Sequence, residues 1–193
     1  MDFRKLHRQL APLLFVPLLL TALTGIAYRV GRSWFGISNS AADFLMTIHQ
    51  GEFLGTPLVP IYVLLLGLGL LGTIATGLTM IRRKRQISKL SGKLDRRSVH
   101  RILAPIIFLP LTVSAITGIT YRLGKSWFGL SKDRALILLQ IHQGSYFGSF
   151  FRPIYVLLVG LGLVAMLITG INMISRSNKH RQKPKESSID REH

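Results

Sequence analysis

Apolar residues in this chain neither alternate with polar ones nor form one stripe of an otherwise polar surface. They run on without a charge over 9–28, 53–81, 102–121 and 153–175. Each run is about 20 residues or longer, and a helix rising about 1.5 Å per residue needs about 20 to cross a hydrocarbon core of about 30 Å. The pattern predicts an all-α integral membrane protein with four transmembrane helices. A second period precedes spans 2 and 4. Phe44, Leu45, Ile48 and His49 fall at i, i+1, i+4 and i+5, and Ile137, Leu138, Ile141 and His142 repeat the spacing. Such a stripe predicts a short amphipathic helix whose histidine faces the bundle with its apolar neighbours. A single helix from His49 to Met80 would be about 46 Å long. A break is therefore expected at Gly51, Gly55, Pro57 and Pro60, matched in part by Gly144, Gly148 and Pro153.

The chain is one unit written twice. HRQLAPLLFVPLLLTALTGIAYRVGRSWFG, from His7, returns 93 positions later as HRILAPIIFLPLTVSAITGITYRLGKSWFG. The segment from Ile48, IHQGEFLGTPLVPIYVLLLGLGLLGTIATG, returns as IHQGSYFGSFFRPIYVLLVGLGLVAMLITG, and 42 of the 77 residues over 7–83 are identical to their counterparts. Each unit holds two spans, so both copies cross in the same sense, and a pseudo-twofold axis along the membrane normal is expected between them. The organisation reads as a first helix-pair repeat (1–83), a basic cytoplasmic linker (84–99), a second repeat (100–176) and a disordered basic tail (177–193). His180 and His193 fall in that tail and are assigned no chemistry.

Charge fixes the expected orientation. The 193 residues include 25 Lys and Arg against 8 Asp and Glu, a net charge of +17. Eighteen of the cations lie in 1–8, 82–101 and from Arg176 onward, all on one side of a four-span chain. The other side keeps seven: Arg29, Arg32, Arg122, Lys125, Lys132, Arg134 and Arg152. Short loops with that bias predict cytoplasmic termini and linker, most simply in a bacterial cytoplasmic membrane, although a thylakoid-type membrane fits as well. The same distribution explains the basic charge without nucleic acid as a partner, since juxtamembrane cations also rest on anionic lipid. The chain has no cysteine, which excludes disulfides, thiolate zinc sites, iron–sulfur clusters and thiol catalysis.

Four histidines occupy two positions of the repeat. His7 and His100 stand at the cytoplasmic start of spans 1 and 3; His49 and His142 precede spans 2 and 4 on the outer side. The pseudo-twofold would set His7 against His100 and His49 against His142. Two facing imidazoles at each of two depths are a ligand set for two six-coordinate b haems in a helical bundle. Hydrated or headgroup-bonded surface histidines are the alternative. Gly25 lies 18 residues after His7, five helical turns and about 27 Å on, as Gly118 does after His100. Each glycine either admits the flat outer macrocycle or only permits tight helix packing. Arg29 and Arg122, ending spans 1 and 3, are candidates for haem propionates, with Arg32, Lys125, Trp34 and Trp127 behind them and Arg8, Arg101, Arg82 and Arg83 on the inner side. Interfacial anchoring explains the same residues equally well. Tyr62 and Tyr155 stand as hydrogen-bond donors or ordinary interfacial residues.

The unit's opening, LHRQLAPLLFVPLLLTALTGIAYR, and its second half, IHQGEFLGTPLVPIYVLLLGLGLLGTIATGLTMIRRKR, resemble the PepSY-associated transmembrane helix family. The likeness covers nearly all of the chain except linker and tail. Family members include inner-membrane reductases of ferric siderophores with two b haems held by histidines, which implies haem-ligand roles for His7, His49, His100 and His142. The outer segments here, about 25 to 30 residues each, are too short for a PepSY domain. The leading expectation is a dihaem b-type electron-transfer protein, one candidate role being a ferric or quinone-linked reductase component working with a membrane or soluble redox partner. No nucleotide fingerprint occurs, so any nicotinamide or flavin belongs to that partner. The alternative is a haem-free scaffold whose Gly67, Gly69, Gly72, Gly77, Gly160, Gly162 and Gly170 pack against a larger membrane complex. A transporter is weakened by the absence of Asp, Glu, Lys or Arg inside the four charge-free runs.

Overall fold

Why the charge-free runs become separate helices is visible at their ends. The computed structural model describes residues 2–83 and 96–182, and among these every regular element is helical. The long elements are α1 (Phe3–Val30), α2 (Asn39–Gln50), α3 (Val59–Arg83), α4 (Arg96–Trp127), α5 (Lys132–His142) and α6 (Gly148–Gln182). Asp2 starts α1 by accepting from the N–H groups of Arg4 at 3.0 Å and Lys5 at 3.4 Å, donors that no helical carbonyl can reach. α1 runs on through a π-helical turn, Gly31–Phe35. α2 stops where Gly51 adopts φ 73°, and Gly55 at φ 84° completes the expected break; Gly144 and Gly148 repeat it at φ 64° and 85°. Pro60 falls in the first turn of α3, where its missing N–H leaves no helical carbonyl unpaired.

Four stretches are long and apolar enough to cross a membrane: Phe3–Phe35, Val59–Met80, Ser98–Trp127 and Ser145–Ser175. At most 22% of the most apolar window in any of them is buried. Their apolar surface is therefore turned outward, as at Leu13, Leu65, Ile106 and Leu158, all more than 60% exposed. A surface of that kind requires acyl chains around it rather than water. The chain is a multi-pass membrane protein in contact with the bilayer.

The four long helices form a ring. α1 packs on α3 and α6, and α4 packs on the same two, so α1 and α4 face each other across the bundle. Ala22 of α1, Ile107 and Leu111 of α4 and Leu163 of α6 form the core between them. Glycine lets α3 and α6 each approach α1 and α4 closely. A Cβ added at Gly67, Gly69, Gly160 or Gly162 would lie 2.3–2.7 Å from Ile119, Leu14, Ile26 or Ile107 respectively. Gly72 meets Leu10, Gly77 meets His7 and Gly170 meets His100. Each of these glycines thus faces a side chain from within the chain.

Two expectations change. Phe44 (64% exposed) and Ile137 (50%) point away from the bundle, whereas Ala42 and Ala135 are buried on α2 and α5. In a helix next to lipid an outward apolar side chain costs nothing, so the stripe does not face wholly inward. Helix also extends into the expected linker and tail, since α4 begins at Arg96 and α6 runs to Gln182. The rest of those segments, 84–95 and 183–193, lies outside the described residues, as do the side chains of Arg82 and Arg83.

Candidate functional site

Each of the four histidines is held in the same manner, through Nδ1, by a neighbouring helix. His7 on α1 places Nδ1 3.1 Å from the Thr73 carbonyl oxygen and 3.0 Å from Thr76 Oγ1 on α3. His100 on α4 places Nδ1 2.9 Å from Thr169 Oγ1 on α6, with the Met166 carbonyl beside it. His49 on α2 reaches the Thr21 carbonyl of α1 at 2.8 Å. His142 on α5 reaches the Ser114 carbonyl of α4 at 2.9 Å, with Ser114 Oγ and Thr117 Oγ1 each at 3.3 Å. A carbonyl oxygen only accepts, and the Thr169 hydroxyl already gives its hydrogen to the Ala165 carbonyl, so in each case Nδ1 carries the hydrogen and Nε2 keeps its lone pair.

Four Thr-Gly pairs seat these rings. Thr24, Thr76, Thr117 and Thr169 are buried, and each hydroxyl donates to the carbonyl four residues back at 2.6–2.7 Å. The glycine that follows leaves room for an imidazole. An added Cβ would lie 2.9 Å from His49 Cε1 at Gly25, 3.3 Å from His142 Cε1 at Gly118, 3.5 Å from His7 Cε1 at Gly77 and 3.6 Å from His100 Cε1 at Gly170. Gly25 and Gly118 thus admit a histidine ring, a use that their spacing from His7 and His100 does not disclose. Thr76, Gly77, Thr169 and Gly170 escaped the reading of the histidines; the repeated Thr-Gly dipeptide is the signal that marks them.

Between the helices, at the α2 and α5 end, lies a cavity of about 630 Å³. His49, His142, Gly25, Gly118, Arg29 and Arg122 all line it, along with Tyr62, Tyr155 and apolar side chains from α1, α3, α4 and α6. His49 and His142 are close enough for a charge on one to act on the other. Burial draws His49 below the ordinary imidazole value, against the hydrogen bond to Thr21. Burial likewise draws His142 down to about 4, the His49 charge adding to the effect and the Ser114 bond opposing it. Both rings are neutral at pH 7, the state in which imidazole binds a metal. His100 is within electrostatic reach of His7 at the other end of the bundle.

The rim is cationic. Arg122 donates from Nη1 to Gln50 Oε1 at 3.2 Å and from Nη2 to Glu52 Oε1 at 3.2 Å. Arg29 donates to Gln143 Oε1. Nε of both arginines is buried without a hydrogen-bond partner. Other candidates stand elsewhere. Arg32 bonds Asn39 Oδ1 at 2.8 Å, Lys125 sits over the Tyr121 ring, and Trp34 and Trp127 are half exposed at the ends of their spans. Tyr62 and Tyr155 lay their rings against Gly51 and Gly144, where a Cβ would fall 2.4 and 2.3 Å from them. Among the described residues no three His, Cys, Asp or Glu side chains converge as ligands for one metal ion. Compared with protein-family models, with curated proteins and with solved structures, the chain matches none.

Proposed function

We propose that this protein is a b-type cytochrome-like electron-transfer component of a membrane, with one haem between His49 and His142 and a second between His7 and His100. The observation that carries the reading is the Nδ1 anchoring of all four imidazoles, which leaves Nε2 as the ligand atom. Ligating histidines are fixed in this way, because the second hydrogen bond sets the tautomer and the plane of the ring. A haem would bring four nitrogens of its own and ask the protein for two, which suits histidines that come in pairs. The cavity volume of about 630 Å³ falls in the range of about 300–1,000 Å³ usual for small-molecule and cofactor sites. The unpartnered Nε groups of Arg29 and Arg122 are donors of the kind that haem carboxylates take.

A bound haem would supply one-electron redox chemistry. The protein's part is to hold and insulate. Thr21 and Ser114 carbonyls orient the rings of His49 and His142, Gly25 and Gly118 make room for them, and apolar side chains line the space between. With two histidines held for each haem, the iron would keep no open coordination position, which would favour electron transfer over oxygen activation. Contacts at residues 93 apart support a pseudo-twofold relation of the two repeats along the membrane normal: His7 with Thr76 and His100 with Thr169, His49 with Gly25 and His142 with Gly118. The cation bias supports cytoplasmic termini in a bacterial cytoplasmic membrane. A ferric or quinone-linked reductase role with a separate redox partner is the part of the proposal that rests on the sequence likeness alone. The test is haem content per chain in the wild type and in His49→Ala and His142→Ala, where loss of one haem is expected in each variant.

A further inference from the structure

The two halves of the rim are not alike in charge. Arg122 has an acid of its own, Glu52, and their pairing is the salt bridge found among the described residues. Ninety-three positions on, Ser145 stands where Glu52 would be, and Arg152 stands where the first repeat has Val59. One copy therefore loses a carboxylate and gains a cation. Arg29 and Arg152 both donate to the same acceptor, Oε1 of Gln143. That oxygen is uncharged and offsets neither guanidinium. Nε of Arg29, Nε of Arg152 and Oγ of Ser145 are all buried without a hydrogen-bond partner.

Two like charges sharing one neutral acceptor repel each other where the dielectric constant is low, and unpartnered N–H groups add to the cost. One anion between them removes both penalties. We infer that Arg29, Arg152, Gln143 and Ser145 form a site for a single oxyanion, a carboxylate or a phosphate, where among the described residues no acid pairs with either arginine. Guanidinium is the group suited to it, because its planar fork matches the paired oxygens of such anions. The same chemistry has three sources: free phosphate, a lipid headgroup, or a propionate of the haem proposed above. The site does not depend on that haem.

The experiment is thermal unfolding of the full chain, purified in an uncharged detergent, titrated with inorganic phosphate at constant ionic strength against chloride. Phosphate is expected to raise the midpoint saturably by a few degrees, as a ligand of the folded state does. Arg152→Gln is expected to weaken that response by about tenfold or more, the effect of losing a charged hydrogen-bond donor. Ser145→Glu restores the acid that the first repeat carries at Glu52. It is expected to raise the midpoint without phosphate and to abolish the phosphate response, which separates a lost site from a failure to fold. In nanodiscs, stabilisation by phosphatidylglycerol over phosphatidylcholine that free phosphate cannot produce, lost in Arg152→Gln, assigns the oxyanion to lipid. In haem-loaded protein, indifference to both probes together with faster haem loss from Arg152→Gln than from wild type assigns it to a propionate. Equal responses in wild type, Arg152→Gln and Ser145→Glu, or no response to any of the three sources, overturns the inference.

Discussion

The imidazole of His49 occupies the space that a side chain on Gly25 would need: an added Cβ would lie 2.9 Å from Cε1 and 3.1 Å from Nδ1 of the ring. The ring is also tied to the Thr21 carbonyl one turn earlier on the same helix. It therefore has little freedom to retreat. Gly25→Ala is expected to displace His49, with an overpacking cost of about 1–3 kcal/mol that outweighs the gain of up to about 1 kcal/mol from replacing a helical glycine. Gly77→Ala and Gly170→Ala meet His7 and His100 at 3.5 and 3.6 Å, ordinary contact distances, and are expected to be tolerated. Unfolding midpoints of the three variants check this. Equal destabilisation in all three would contradict the seating of His49 by Gly25.

The threonine hydroxyls make a weaker and separable contribution. His7 keeps the Thr73 carbonyl if Thr76 Oγ1 is removed, and His100 keeps the Met166 carbonyl if Thr169 Oγ1 is removed. Thr76→Val and Thr169→Val are expected to cost about 1 kcal/mol each and to leave His7 and His100 in place. Stability and haem content measured together distinguish this from a collapse of the site.

Acid should destabilise the protein in a defined window. His142 titrates near 4 in the folded chain against an ordinary 6.5, because burial disfavours the charged ring. Between those values the unfolded chain binds a proton that the folded chain refuses, so stability falls as pH drops from 6.5 towards 4. His49 is shifted in the same direction. In the haem-free protein, where no iron competes for the ring, His142→Gln is expected to flatten the dependence of the unfolding midpoint on pH across that window. An unchanged slope would contradict the burial of a neutral His142.

Much of this architecture is legible in the sequence, for physical reasons. Lipid demands unbroken apolar runs, so the spans stand out, and Gly51, Gly55, Gly144 and Gly148 mark the breaks because only glycine adopts their positive φ without strain. The duplication shows which histidines are equivalent. It does not show what each one touches. That His7 docks on Thr76 and Gly77, 69 and 70 residues away, depends on which helices are neighbours in the ring. Phe44 and Ile137 mislead for a related reason: a stripe that faces a core in water can face acyl chains beside a membrane. Arg152 reads as one of seven outer cations until the break at Gly144 brings α6 back towards Gln143.

The central claim is that two pairs of histidines each hold a haem. Its most direct test is a reduced-minus-oxidised absorption spectrum of the purified protein with haem quantified per chain, run on the wild type and on His7→Ala, His49→Ala, His100→Ala and His142→Ala. Two b haems are expected in the wild type and the loss of one in each variant, with His49→Ala and His142→Ala removing the same haem. A wild type without haem after expression with ample haem, or four variants that retain both, would contradict it.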